Sequence, residues 1–196
     1  KDLTAVNAIK LLRKVLPENA IVATEVGQNQ MWASLHFRVL KTGTFISSGG
    51  LGTMGFGFPA SLGAKVAMPD VPVVDIAGDG SFLMTEQDLA TSVVEDIPVI
   101  VMVLNNSSLG MVAQWQRLFF GKRYSHTDLR GVPDFAKLAE AFGARGVRVN
   151  SLNELEQVLR EAIKSDVTVV IDVPISREEN VLPIVPPGKS LKDMIY

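Results

Sequence analysis

Pro98-Val99-Ile100-Val101-Met102-Val103-Leu104 is a run without a single polar side chain. A strand that is apolar on both of its faces has to be covered on both, which is the condition of a parallel sheet between two layers of helices. Val71-Pro72-Val73-Val74-Asp75-Ile76-Ala77 repeats the pattern. Shorter strand candidates lie at 20–23, at Phe45-Ile46, at 145–149 and at 167–173. Between them apolar residues recur at helical spacing: Ala5, Ile9, Leu12 and Leu16 in 4–16, then 28–38, about 58–67, 85–95, the segment with Met111, Trp115, Leu118 and Phe119, 133–142 and 151–164. Residues 121–132 read as an exposed loop. From 174 to 188 Pro174, Pro183, Pro186 and Pro187 exclude regular structure, and the tail is expected to run over the surface or over a neighbour. The alternation predicts an α/β fold, a doubly wound parallel sheet of about six strands with helices on both faces. Ligands of such sheets bind at the carboxyl ends of the strands, near the point where the strand order reverses.

Composition excludes several classes. A length of 196 residues with 47% hydrophobic residues suits one globular domain with a full core. A net charge of −2 without a basic block argues against nucleic acid as the main partner. The absence of cysteine excludes disulfides, thiolate catalysis and cysteine-ligated metal centres. No apolar run reaches the ~20 residues of a membrane span, and no signal peptide is recognisable, so a cytoplasmic location is expected. The sequence opens on Lys1 rather than on methionine, which raises the expectation of a fragment.

The chemistry concentrates at two strand ends. Gly78-Asp79-Gly80-Ser81 closes the 71–77 strand, and Asn105-Asn106 closes the 98–104 strand, 27 residues after Asp79. Adjacent parallel strands would bring Asp79 and Asn106 to one ion. Magnesium takes hard oxygen ligands and few of them from protein, so a carboxylate, an amide oxygen and a backbone carbonyl suffice beside phosphate and water. Gly78 and Gly80 allow close approach, and Gly80 and Ser81 offer N–H groups at a helix start. The competing explanation is an ordinary Asp-Gly turn followed by an Asn cap.

Five glycines fall between Gly49 and Gly57, in Ser48-Gly49-Gly50-Leu51-Gly52-Thr53-Met54-Gly55-Phe56-Gly57-Phe58-Pro59. Gly50, Gly52 and Gly55 formally match the dinucleotide fingerprint, with Asp75 at the distance of its ribose-binding acid. A weak preceding strand and a helix delayed by Phe58-Pro59 make this match a decoy. Gln28 and Asn29 follow the first strand and can donate to phosphate oxygens, although an ordinary helix start explains them equally. By spacing alone Met111, Trp115, Leu118 and Phe119 read as a core-facing helix stripe. His36 and His126 sit in no metal-ligand pattern.

Taken together, these motifs resemble the diphosphate-binding domain of thiamine diphosphate enzymes. Gly110-Met111-Val112, Gln114-Trp115-Gln116, Arg123-Tyr124-Ser125-His126-Thr127 and Val185-Pro186-Pro187-Gly188-Lys189 are similar to the acetolactate (acetohydroxyacid) synthase catalytic subunits in particular. The resemblance implies a domain over 1–176 and a Pro-rich tail over 177–196. It implies thiamine diphosphate and Mg2+ as cofactors, with FAD in the complete enzyme mostly outside this chain. Asp79, Asn106 and the carbonyl of Ser108 would hold the metal. Gln28, Asn29, Gly78, Gly80 and Ser81 would contact the diphosphate. Met54 would press the aminopyrimidine toward the thiazolium, with Gly52 presenting its carbonyl. Met111 and Trp115 would line the substrate pocket. The family usually carries His where this chain has Asn29, which puts the pH response of phosphate binding in doubt, and often a larger polar residue at 108, where Ser108 is compatible with a backbone ligand. Its activating glutamate comes from a separate N-terminal domain across a subunit interface, so no catalytic residue is expected here and the chain alone is expected to be inactive. Pyruvate and 2-oxobutyrate would be substrates, on the way to valine and isoleucine. A homodimer or homotetramer and a regulatory small subunit would be the partners. Another thiamine diphosphate-dependent decarboxylase and an NAD-binding domain stay open as alternatives.

Overall fold

The computed structural model describes residues 2–196 and holds six strands in one sheet: β1 Ile21–Thr24, β2 Phe45–Ser47, β3 Val73–Gly78, β4 Ile100–Asn105, β5 Arg145–Arg148 and β6 Val169–Pro174. Their order is β2-β1-β3-β4-β6-β5, and every neighbouring pair is parallel. The helices are α1 Ala5–Val15, α2 Gln28–His36, α3 Gly57–Ala67, α4 Asp79–Phe82, α5 Leu89–Val94, α6 Gly110–Phe119, α7 Phe135–Ala141 and α8 Leu152–Ala162.

Alternation along each strand feeds two cores. Ile100, Met102 and Leu104 of β4 join Val74 and Ile76 of β3 beneath Ile9 and Leu12 of α1 and Leu155 and Leu159 of α8. Val101 and Val103 point the other way, into a second core with Phe58 and Leu62 of α3, Phe82 of α4 and Phe135 and Ala139 of α7. Each such side chain contributes roughly 1.5–3 kcal/mol by leaving water, so covering both faces is what holds an all-parallel sheet together.

Helix starts follow capping chemistry. The Thr4 hydroxyl accepts the Asn7 N–H (3.2 Å), Asp134 accepts the N–H groups of Ala136 and Lys137, and Ser151 accepts that of Glu154. The chain lays β2 on one side of β1 and β3 on the other. The order therefore reverses between β1 and β3, and the loops leaving these strands diverge and open a crevice.

Three local expectations change. The helix expected over 85–95 is a 3-10 turn at Glu86–Asp88 followed by α5, because the Thr85 hydroxyl is held by the Gly55 carbonyl at 3.2 Å. Pro59 does not delay α3, which starts at Gly57; in a first turn its missing N–H has no partner to lose. The tail is irregular but docked: Val181 is fully buried, and Ile184 bridges Ile195. Among the described residues no helix is long and apolar enough to cross a membrane.

Candidate functional site

The reversal point is lined from three strand ends. Gln28 and Asn29 open α2 just after β1, Gly78 ends β3 and Asp79 to Ser81 follow it, and Asn106 and Ser108 follow β4. With Met54, Leu109 and Met111 they surround a cleft of about 70 Å3. That is room for a head group, so the body of a cofactor-sized ligand has to project from it. Gly110 closes one wall: a Cβ there would lie 2.1 Å from Gln28 Oε1 and 2.6 Å from Asn106 Nδ2.

Asp79 is buried, and Oδ2 accepts the Ser108 N–H at 3.1 Å. Burial pushes its carboxyl up to about 6 against the opposing pull of backbone N–H groups. A carboxylate in that position gains from a cation and loses without one.

Asn106 lines the same cleft, and its orientation is dictated from a distance. The Val181 N–H donates to Gln114 Oε1 (2.8 Å), which marks that atom as oxygen. Gln28 must then turn its amide nitrogen toward Gln114 (2.8 Å), and it also donates to the Glu179 carbonyl (3.0 Å). Its oxygen consequently accepts from Asn106 Nδ2 at 3.0 Å. Asn106 Oδ1 is left buried without a partner. Buried unpartnered acceptors are costly, and this one lies in the wall of the cleft that Asp79 also lines. One carboxylate and one free amide oxygen suit a hard divalent cation whose remaining ligands are phosphate, water and backbone. Among the described residues no three His, Cys, Asp or Glu side chains cluster as a metal site.

The other expected residues are distributed unevenly. Asn29 lines the cleft, but its amide donates to the Ile76 carbonyl at 2.9 Å and ties α2 to β3. Gln28 is wholly engaged in the relay just described. Ser81 Oγ shares hydrogen bonds with the N–H and carbonyl of Gly78 (3.2 Å each) and shapes the turn. A Cβ on Gly80 would meet Leu109 at 2.7 Å and the Met54 methyl at 3.7 Å, so Met54 reaches across the cleft. Gly52, at φ +73°, stands outside the lining beside Val26. Met111 lines the cleft. Trp115, one turn on and stacked on Phe119 at 5.3 Å, lines an adjoining open groove that shares Val112. The core-facing stripe read from spacing is not the buried one: α6 buries Ala113 and Gln114 and leaves Met111 and Trp115 partly open.

Two carboxyls went unread as a pair. Glu25 and Asp75 are fully buried beside the glycine-rich loop. Their signal was available, an acid inside or at the end of a strand otherwise apolar. They also dispose of the dinucleotide reading: Glu25 Oε1 accepts the Phe58 N–H (2.9 Å) and so occupies the start of α3, and Asp75 is closed off from any ribose.

Comparison with known proteins agrees with this geometry. Residues 25–173, well over half of the chain, match the family described as thiamine pyrophosphate enzyme, C-terminal TPP binding domain. The chain is 48% identical over 178 residues to the probable acetolactate synthase large subunit of Methanococcus aeolicus, covering 91% of this chain and 30% of that protein. It is 47% identical over 193 residues to the protein of that name from Methanocaldococcus jannaschii, covering 95% and 32%. To the acetolactate synthase isozyme 2 large subunit of Escherichia coli it is 46% identical over 187 residues, covering 95% and 34%. The chain thus spans about a third of the length of these relatives. A parallel sheet with its cleft at the β1/β3 reversal, read together with the match over 25–173, places this chain in the family of C-terminal thiamine pyrophosphate-binding domains.

Proposed function

We propose that this chain is the diphosphate-binding part of an acetolactate synthase catalytic subunit, anchoring thiamine diphosphate through Mg2+. The observation that carries the reading is the meeting, in one cleft, of the buried Asp79 carboxylate and the orphaned Asn106 oxygen. Asp79, Asn106 and the carbonyl of Ser108 would hold the ion. Gly80 and Ser81 would offer backbone N–H groups to the diphosphate at the start of α4, and Met54 would lie under the cofactor. Thiamine diphosphate, when bound, supplies the electron sink for decarboxylation of a 2-oxo acid and for the carbon–carbon bond that follows. This chain's residues position it and exclude water; none is assigned a proton transfer. Glu25 is no candidate for that role, because it is buried and its oxygens are held by backbone N–H groups. FAD is assigned mostly to parts of the enzyme outside these residues. Assembly into at least a dimer is supported by Leu51 (92% exposed) and Met84 (52% exposed), apolar side chains on and against the glycine-rich loop.

Calorimetric titration of the full-length protein with thiamine diphosphate, with and without Mg2+ and with NADH alongside, tests the reading. Binding of thiamine diphosphate that depends on Mg2+ is the expected result; binding of NADH alone sinks it. The groove at Trp115 is assigned to the second 2-oxo acid. In Trp115→Ala the ratio of products formed from pyruvate and from 2-oxobutyrate as acceptor is expected to shift by about tenfold, as for other pocket contacts of a few methylenes. Equal product ratios in mutant and parent would remove Trp115 from the pocket.

A further inference from the structure

We propose that Glu25 is a positioning residue: its carboxylate, bound by the backbone at the start of α3, sets the height of Met54 over the cleft, and Asp75 beneath it serves as a neutral acid. The inference rests on the reading of the cleft as the cofactor site.

Glu25 Oε2 accepts the Gly55 N–H at 2.7 Å and Oε1 the Phe58 N–H at 2.9 Å, and the N–H groups of Phe56 and Gly57 also face the carboxylate. One side chain thus holds the backbone immediately after Met54. The next peptide group is held as well, since the Gly55 carbonyl accepts the Thr85 hydroxyl at 3.2 Å. Met54 has no freedom left at its C-terminal flank, and its methyl falls beside Gly80.

Asp75 has the opposite surroundings. Parallel pairing sets Asp75 opposite Ala23, so Glu25, two residues on, emerges on the same face of the sheet. Both Asp75 oxygens are buried without a hydrogen-bond partner. No cation pairs with Asp75 among the described residues. Two buried charges side by side, one of them with no donor, are not tolerated. The donors decide which acid keeps its charge, and all of them face Glu25. Burial and the neighbouring Glu25 both push the Asp75 carboxyl well above the usual carboxylate range. Burial raises Glu25 too, and the four N–H groups that face it offset only part of that rise, whereas Asp75 has no donor to offset its own.

The test compares Glu25→Gln with Asp75→Asn in the full-length protein. Two quantities are read: amide hydrogen exchange at Gly55 and Phe58 without cofactor, and affinity for thiamine diphosphate with Mg2+. A hydrogen bond to a charged group is worth enough that Glu25→Gln is expected to speed exchange and weaken binding by about tenfold or more. Asp75→Asn, which mimics the neutral acid, is expected to stay within about twofold of the parent in both. Parent-like exchange in Glu25→Gln would overturn the clamp. Faster exchange with unchanged affinity would overturn the positioning of Met54. Equal damage from Asp75→Asn would overturn the assignment of the charge. If Glu25→Gln does not fold, Glu25→Asp keeps the charge and retracts it by one methylene, and the same readings apply. Because exchange is read without cofactor, failure of the clamp is separable from failure of the cofactor reading, which shows as a parent that does not bind thiamine diphosphate.

Discussion

Replacing Asp79 by Asn is expected to make the ligand-free protein more stable at neutral pH and nearly unable to bind thiamine diphosphate with Mg2+. The two effects share one cause. Burial raises the Asp79 carboxyl from 3.8 to about 6, so the folded state holds this proton more tightly than the unfolded chain does. Its contribution to stability is therefore most favourable below about pH 4, declines as pH rises through about 6, and is fully unfavourable above that. That rise of the Asp79 carboxyl corresponds to roughly 3 kcal/mol as an upper bound. Asn carries no charge and keeps an oxygen for the Ser108 N–H. Its melting temperature should exceed the parent's by several degrees at pH 8, and the gap should close toward pH 4. For the cation the sign reverses. Loss of the one carboxylate proposed for the site should weaken Mg2+-dependent binding on the order of a hundredfold or more, as for the loss of one partner of a buried ion pair. A melting curve of the parent no lower than that of Asp79→Asn at pH 8, or unchanged binding, would contradict the assignment.

The second large effect is expected from a single methyl group. A Cβ on Gly57 would lie 2.3 Å from Asp75 Oδ1 and 2.6 Å from both the Glu25 nitrogen and the Thr24 carbonyl carbon. Two of these neighbours are backbone of the sheet's central region and cannot step aside. Relief must come from lifting α3 off β1 and β3, which also pulls Phe58 from its fully buried seat. Overpacking of this kind costs about 3 kcal/mol or more, so Gly57→Ala should melt some 6–12 °C below the parent for a domain of this size. A loss under about 2 °C would mean that the helix floats more freely than the contacts indicate.

The strands were readable because a parallel strand buried on both faces needs no alternation to betray it; Val99 to Leu104 can be little else. That Asp79 and Asn106 share one cleft was readable for a related reason, since polar residues directly after such strands fall at the carboxyl end of the sheet. What escaped depends on tertiary partners. Glu25 went unread just past a short strand, and nothing nearby in sequence says that its acceptors meet the N–H groups of residues 30 and 33 positions away. Asp75 attracted notice only as part of a dinucleotide pattern, although an acid in an apolar run was itself the anomaly. Gln114 was hidden by Met111 and Trp115, whose size suggested the buried face of α6. Proline correctly marked the tail as irregular, but irregular chain can still be docked, and the partner that docks it lies 67 residues back.

That docking gives the tail authority over a polarity. The chain of amides from Val181 through Gln114 and Gln28 to Asn106 carries an orientation: it decides which end of an amide faces the cleft. If Glu179 and Val181 were drawn away together, Gln28 and Gln114 would lose the tail carbonyl and N–H that orient them, and half a turn passed along the chain would put the Asn106 NH2 group where its oxygen now stands. The place proposed for a cation would then face an NH2 group without any movement of the backbone around it. The docked tail thus helps decide which atom of Asn106 faces the cleft.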